Sequence, residues 1–140
     1  MTTSLQEKTI RGRTFWGYIK SIADKILNTS NSNPGVDFAI TEIVHCKSKD
    51  ISCIHSKCYD ICFNKHFGNI LSIAQNLQYI VVLGRPTRVR ISKYFGISSA
   101  SKNQWYNANL NNKTIKIIFV DHNAARGASA KNIPLLTVQP

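Results

Sequence analysis

The stretch Tyr79-Ile80-Val81-Val82-Leu83-Gly84-Arg85-Pro86 decides how the rest of this chain is read. Its first five residues are apolar, mostly β-branched and without polar alternation, the pattern of a strand covered on both faces in a parallel sheet. Gly84 ends the run where the chain has to turn, and Pro86, which lacks an amide hydrogen, suits a first helical turn. The local expectation is strand, tight turn, helix, with the strand in the centre of a sheet.

Upstream, Phe15, Ile19, Ile22, Ala23, Ile26 and Leu27 recur at intervals of three and four, which predicts a helix with one apolar face and Thr14 as its N-cap. The Asn, Thr, Ser, Pro and Gly residues between Asn28 and Gly35 end that helix in a loop. Val36 to Val44 is apolar except for Asp37, Thr41 and Glu42 and is expected to form a strand, followed by a polar loop to about Lys57. A second helix is expected with Ile61, Phe63, Phe67, Ile70, Leu71 and Ala74 on its inner side. Downstream, Thr87 to Phe95 continues as a basic helix anchored by Val89 and Ile91. Trp105 to Ala108 and Thr114 to Val120, joined by Asn109-Leu110-Asn111-Asn112, predict a hairpin.

Alternation of helices and strands argues for an α/β fold, a three-layer sandwich with a mostly parallel central sheet. A length of 140 residues fits one domain, expected to span 1–140. No apolar run approaches the roughly 20 residues that span a bilayer, and the first residues lack the apolar core of a signal peptide. The expectation is a cytoplasmic protein without a membrane partner. Eighteen Lys and Arg against seven Asp and Glu give a net charge of +11, which favours a polyanion, nucleic acid first, over an acidic protein surface. The plainer alternative is a basic surface with no dedicated partner.

In parallel sheets ligands bind beyond the carboxyl ends of the strands, so His45-Cys46, Gly84-Arg85 and Asp121-His122-Asn123 occupy the site positions. Arg85, Arg88, Arg90 and Lys93 can follow a phosphate backbone, or form a solvated helix face. Trp105 and Tyr106 are candidates for stacking on bases, with packing in the hairpin as the alternative. Cys46, Cys53, Cys58 and Cys62 fall within seventeen positions, with His45, His55 and His66 interleaved. Thiolates and imidazoles at this density suit zinc or an iron–sulfur cluster, although no Cys-x-x-Cys pair is present; buried reduced cysteines are the alternative, and disulfides come last in a reducing compartment.

The residues Phe38-Ala39-Ile40-Thr41-Glu42-Ile43-Val44-His45-Cys46, then Cys62, then Ile80-Val81-Val82-Leu83-Gly84 and finally Asp121-His122 resemble the uracil-DNA glycosylase superfamily. They are most similar to its iron–sulfur-containing branch, in which a strand ending in Ile-Thr-Asn leads to a cysteine loop, a second cysteine begins the next helix, a Val-Ala-Leu-Gly strand follows, and a His-Pro-Ser motif closes the site. Gly12-Arg13-Thr14-Phe15-Trp16-Gly17 resembles the family's Gly-x-Pro-Phe-x-Gly segment, so the likeness covers about residues 11 to 130.

This resemblance implies a DNA-binding protein that removes a deaminated base by hydrolysis of the N-glycosidic bond. That chemistry needs a flipped base, hydrogen bonds to its edge and stabilisation of the charge developing on the leaving base. His122 would donate to a base carbonyl, Glu42 and Asn123 would face the base, Arg126 would hold a flanking phosphate, and Cys46 and Cys62 would be the surviving metal ligands. The chain departs from the family in four respects. Glu42 replaces the base-reading Asn, Asn123-Ala124 replace Pro-Ser, and the N-terminal cysteine pair is absent. The acidic, glycine-rich motif that positions the attacking water does not precede Gly12, so the resemblance implies a domain truncated at its N-terminus. A non-catalytic nucleic-acid-binding module on the same scaffold is the alternative, because fold does not dictate function.

Overall fold

The computed structural model describes residues 15–43, 56–122 and 128–134. In chain order these form α1 (Phe15–Leu27), α2 (Ser56–Ile73), β1 (Tyr79–Leu83), α3 (Arg85–Tyr94), β2 (Trp105–Leu110), β3 (Lys113–Val120) and a single 3₁₀ turn at Ala130–Asn132. The fold is mixed α/β around a three-stranded sheet of order β1-β3-β2. β1 runs parallel to β3, with Tyr79 opposite Lys116 and Leu83 opposite Val120, while β2 runs antiparallel to it, with Trp105 opposite Ile118.

Among the described strands the centre of the sheet is therefore β3 and not β1, which lies at an edge. β3 is longer, and its run Ile115-Lys116-Ile117-Ile118-Phe119-Val120 buries side chains on both faces; Ile117, Ile118 and Phe119 are fully buried. An apolar run without alternation reports cover on both faces, and β1 has that cover, but it does not report pairing on both edges. Among the described residues the sheet is mixed, with one parallel and one antiparallel pair.

The pleat divides the core in two. Ile118 and Val120, with Val81 and Leu83 of β1, pack against Tyr18, Ile19 and Ile22 of α1 and against Ala130 and Ile133. Ile115, Ile117 and Phe119, with Ile80 and Val82, pack against Phe63 of α2 and Ile91 of α3. These clusters explain the helices: α1 puts Phe15, Ile19, Ile22 and Ile26 of its predicted apolar stripe on the first, leaving Leu27 exposed, and α2 puts Phe63 and Phe67 toward the second. Ile61 and Val89 depart from expectation, at 64% and 54% exposed, because each sits off the inward stripe of its helix.

The hairpin is tighter than its sequence implied. β2 and β3 continue to Leu110 and Lys113, and only Asn111 and Asn112 make the turn, both with positive φ (50° and 63°). That conformation matches the twist of the flanking strands, and Asn adopts it more readily than most residues.

The expected strand from Val36 to Val44 does not form over the described part, up to Ile43. Asn33 to Phe38 is a turn closed by Gly35 N–H donating to the Phe38 carbonyl at 2.8 Å, with the Asp37 carboxylate accepting from Asn33 N–H. Pro34 and Gly35 set that turn chemistry, and Val36 is left 83% exposed. Beyond the turn, Phe38 packs with the α1-side cluster and Ile43 with the α2-side cluster, so the segment passes around the outer edge of β1 without extending the sheet.

Asp24 ties the loop after α1 to the helix. Its carboxylate accepts from Lys20 Nζ at 2.8 Å and from both the N–H and the hydroxyl of Ser32, a buried residue. Burial alone would raise the Asp24 pKa, but the hydrogen bonds from Lys20 and Ser32 outweigh it and hold the carboxyl below its ordinary value of 3.8.

Urea denaturation tests both the core and this loop anchor. Phe119→Ala empties the centre of the sheet and should lower stability by about 3–5 kcal/mol. Asp24→Asn should lose about 1–3 kcal/mol at neutral pH by leaving Ser32 poorly paired. Because the native pKa is depressed, the wild-type advantage should be complete above the ordinary carboxylate value and vanish as pH falls through the lower native one. A D24N variant with the same pH–stability curve as wild type would contradict the assignment.

Candidate functional site

The parallel pairing of β1 and β3 brings the carboxyl ends of the two strands side by side, and the next residues meet there. Gly84 N–H continues the ladder by donating to the Val120 carbonyl at 3.1 Å. A Cβ built on Gly84 would lie 3.8 Å from the Cβ of His122, so two of the three predicted site positions share one rim. The third position, His45-Cys46, lies outside the described residues.

Gly84 is also the N-cap of α3, with φ 82° and ψ 165° and no side-chain cap. That region is open to essentially no residue but glycine. Its carbonyl accepts from Arg88 N–H at 3.1 Å, opening the helix, and Pro86 occupies the first turn. The amino terminus of α3 is thus fixed beside His122.

A second helix begins at the same place. Phe15, the first residue of α1, has its ring centroid 6.0 Å from that of the His122 imidazole, tilted by 30°, and Trp16 meets Phe15 edge to face at 5.4 Å. The Tyr18 hydroxyl donates to the Asp121 carbonyl at 2.9 Å, pinning the first turn of α1 to the end of β3. Neither α1 nor α3 has an acidic residue in its first turn. Two helix amino termini, each carrying about half a positive charge, therefore meet around one exposed histidine.

The neighbouring carboxylate does not offset that field. Asp121 is paired with Lys102 at 2.9 Å. Elsewhere Asp24 pairs with Lys20, Asp60 with Arg90, and Asp37 accepts from Asn33 N–H. Of the described acids, Glu42 alone makes no bond of this kind to another described residue.

The basic helix divides its cations. Arg85 and Lys93 are exposed and Arg88 is half-buried. Arg90 turns toward α2, where its guanidinium bonds Asp60 at 3.0 Å and the Pro86 carbonyl at 3.0 Å and lies over the Tyr59 ring at 4.7 Å. It holds α3 to α2, a structural role. Glu42 lines a different concavity, a cleft of about 80 Å³ beside Phe63, Phe67, Ile80, Thr87 and Ile91. That is well under the roughly 300 Å³ of the smallest usual ligand sites. Asn123 and Arg126 lie outside the described residues.

Trp105 and Tyr106 are engaged in packing. The Trp105 indole donates to the Pro134 carbonyl at 2.9 Å, and the Tyr106 hydroxyl accepts from Ser101 N–H at 2.7 Å. Cys58 and Cys62 are reduced, half-buried thiols one turn apart on α2, while Cys46 and Cys53 lie outside the described residues. One helix face supplies two donors where zinc or an iron–sulfur cluster takes four, and no group of three or more metal-binding side chains occurs among the described residues.

Sequence reasoning locates Gly84 and His122 from the strand-end rule but misses Tyr18 and Lys102, whose contacts carry no local signal. The edge-to-face arrangement of Phe15 and Trp16 is also unforeseen, although both lie in a segment singled out by resemblance. No protein-family model, curated protein or solved structure significantly matches this chain.

A pair of glycine substitutions tests the rim. Gly84→Ala meets only an ordinary contact at 3.8 Å, so its cost is backbone strain of about 1–3 kcal/mol. Gly68→Ala, in α2 with open space around its Cβ position, should instead stabilise by about 0.5–1 kcal/mol. Equal effects of the two in thermal unfolding would contradict the Gly84 geometry.

Proposed function

We propose that this chain is a uracil-DNA glycosylase-like protein of the three-layer α/β type that binds DNA and excises a deaminated base at the Gly84–His122 rim. The convergence of two helix amino termini on His122 carries the reading. When an N-glycosidic bond breaks, the electron pair leaves with the base, and negative charge grows on its carbonyl oxygens. An imidazole N–H aimed at that oxygen, in a field made positive by α1 and α3, stabilises the leaving group without any rearrangement. Exposed Arg85 and Lys93, with Arg88, supply phosphate contacts along the approach, and the net charge of +11 draws the duplex in. Glu42 lines the separate cleft beside Phe63 and Ile91, so it has no part in this reading of the rim. Hydrogen bonds to the edge of a flipped base would give selectivity.

A second reading is a DNA-binding module without catalysis. The observation that favours it is the Lys102–Asp121 pair, which neutralises the carboxylate adjacent to His122 and leaves that position without an acid to activate water.

Incubation with a uracil-containing oligonucleotide separates the two. The enzyme releases free uracil, and His122→Ala lowers the rate by about 10²–10³-fold, the usual loss of one oxyanion donor. Binding that weakens steeply with salt, with no base released by the wild-type protein, favours the second reading. Neither release nor salt-dependent binding would contradict both.

A further inference from the structure

Trp16 differs from the other indole in the chain. Trp105 is half-buried against Tyr79 and has its N–H bonded to Pro134. Trp16 is 44% exposed in the first turn of α1, where its only described ring contact is the edge-to-face one with Phe15. Tryptophan, with an apolar body and a polar N–H, is enriched at contact surfaces. Its place in the fold identifies the contact. Through Phe15 it belongs to an aromatic series, Trp16, Phe15, His122, that leads onto the rim beside Gly84 and Arg85.

We infer that Trp16 is a stacking platform for an unpaired nucleobase of single-stranded or locally opened DNA, next to the base held at His122. The inference rests on the reading that this rim binds DNA. Each base presents a π-face to an indole whatever its sequence, so the platform recognises the unpaired state and not the base identity. Charge selects the occupant. The rim lacks an acidic residue in either helical first turn, Asp121 is neutralised by Lys102, and exposed Arg85 adjoins Gly84. A hydrophobic protein segment would gain from the indole alone, whereas a strand of DNA satisfies the indole and the positive field together.

The chain has two tryptophans, which makes the test direct. In a Trp105→Phe variant Trp16 is the sole indole emitter. Titration with single-stranded oligothymidylate should quench its fluorescence in step with the anisotropy rise of a labelled oligonucleotide. In the otherwise wild-type chain, Trp16→Ala should weaken binding by about 5- to 150-fold and Trp16→Phe by much less. This second arm does not depend on Trp105→Phe folding, and circular dichroism verifies that the Trp16 variants fold. An anisotropy change with unmoved Trp16 emission overturns the inference and leaves DNA binding intact, as does wild-type affinity in Trp16→Ala. Absence of any anisotropy change at low salt overturns the inference together with the reading beneath it.

Discussion

The parallel ladder between β1 and β3 is the constraint on which the rest of the molecule depends. Its register sets Leu83 opposite Val120, so the chain leaves both strands at the same level. The next backbone bond, Gly84 N–H to the Val120 carbonyl, carries the pairing one step past the strand and turns the chain into α3. Without that register, Gly84 and His122 would be distant in space as they are in sequence. Parallel pairing also requires a long connection, and here it runs through α3, the loop after it and β2, with α3 on the side where Ile91 meets Val82, Ile117 and Phe119.

Electrostatics follows from the same arrangement. A net charge of +11 over 140 residues is unevenly used, because several cations are already committed to the few acids. Lys20, Arg90 and Lys102 hold a loop, a helix pair and a strand end respectively. What remains exposed includes Arg85 and Lys93 on α3, whose amino terminus adds its own positive end to the rim. Of that surplus, Arg85 stands beside Gly84 at the rim, while Lys57, Lys65, Lys113 and Lys131 are exposed elsewhere on the surface.

Much of this is legible in the sequence, and the failures have physical causes. The three helices show their period, and the hairpin shows its two strands, although its turn reads as Asn109 to Asn112 where only Asn111 and Asn112 make it. β1 reads as central because its side chains are covered on both faces, a property that an edge strand between two helical clusters shares. Val36 to Ile43 reads as a strand from its apolar content, but Pro34 and Gly35 bend the chain first, and Phe38 and Ile43 anchor to opposite faces of the sheet. Gly84 and His122 can be found from the ends of apolar runs. Tyr18 cannot, since its bond to Asp121 spans 103 residues and nothing local marks either partner.

The central claim is that α1, α3 and β3 converge on His122 to form the surface that meets DNA. It is tested most directly by NMR of isotopically labelled protein titrated with a uracil-containing oligonucleotide. The His122 ring resonances, the Gly84 amide and the Phe15 ring should shift together and saturate at one stoichiometry. Shifts confined to the hairpin turn at Asn111 and Asn112, with those three groups silent, would contradict it.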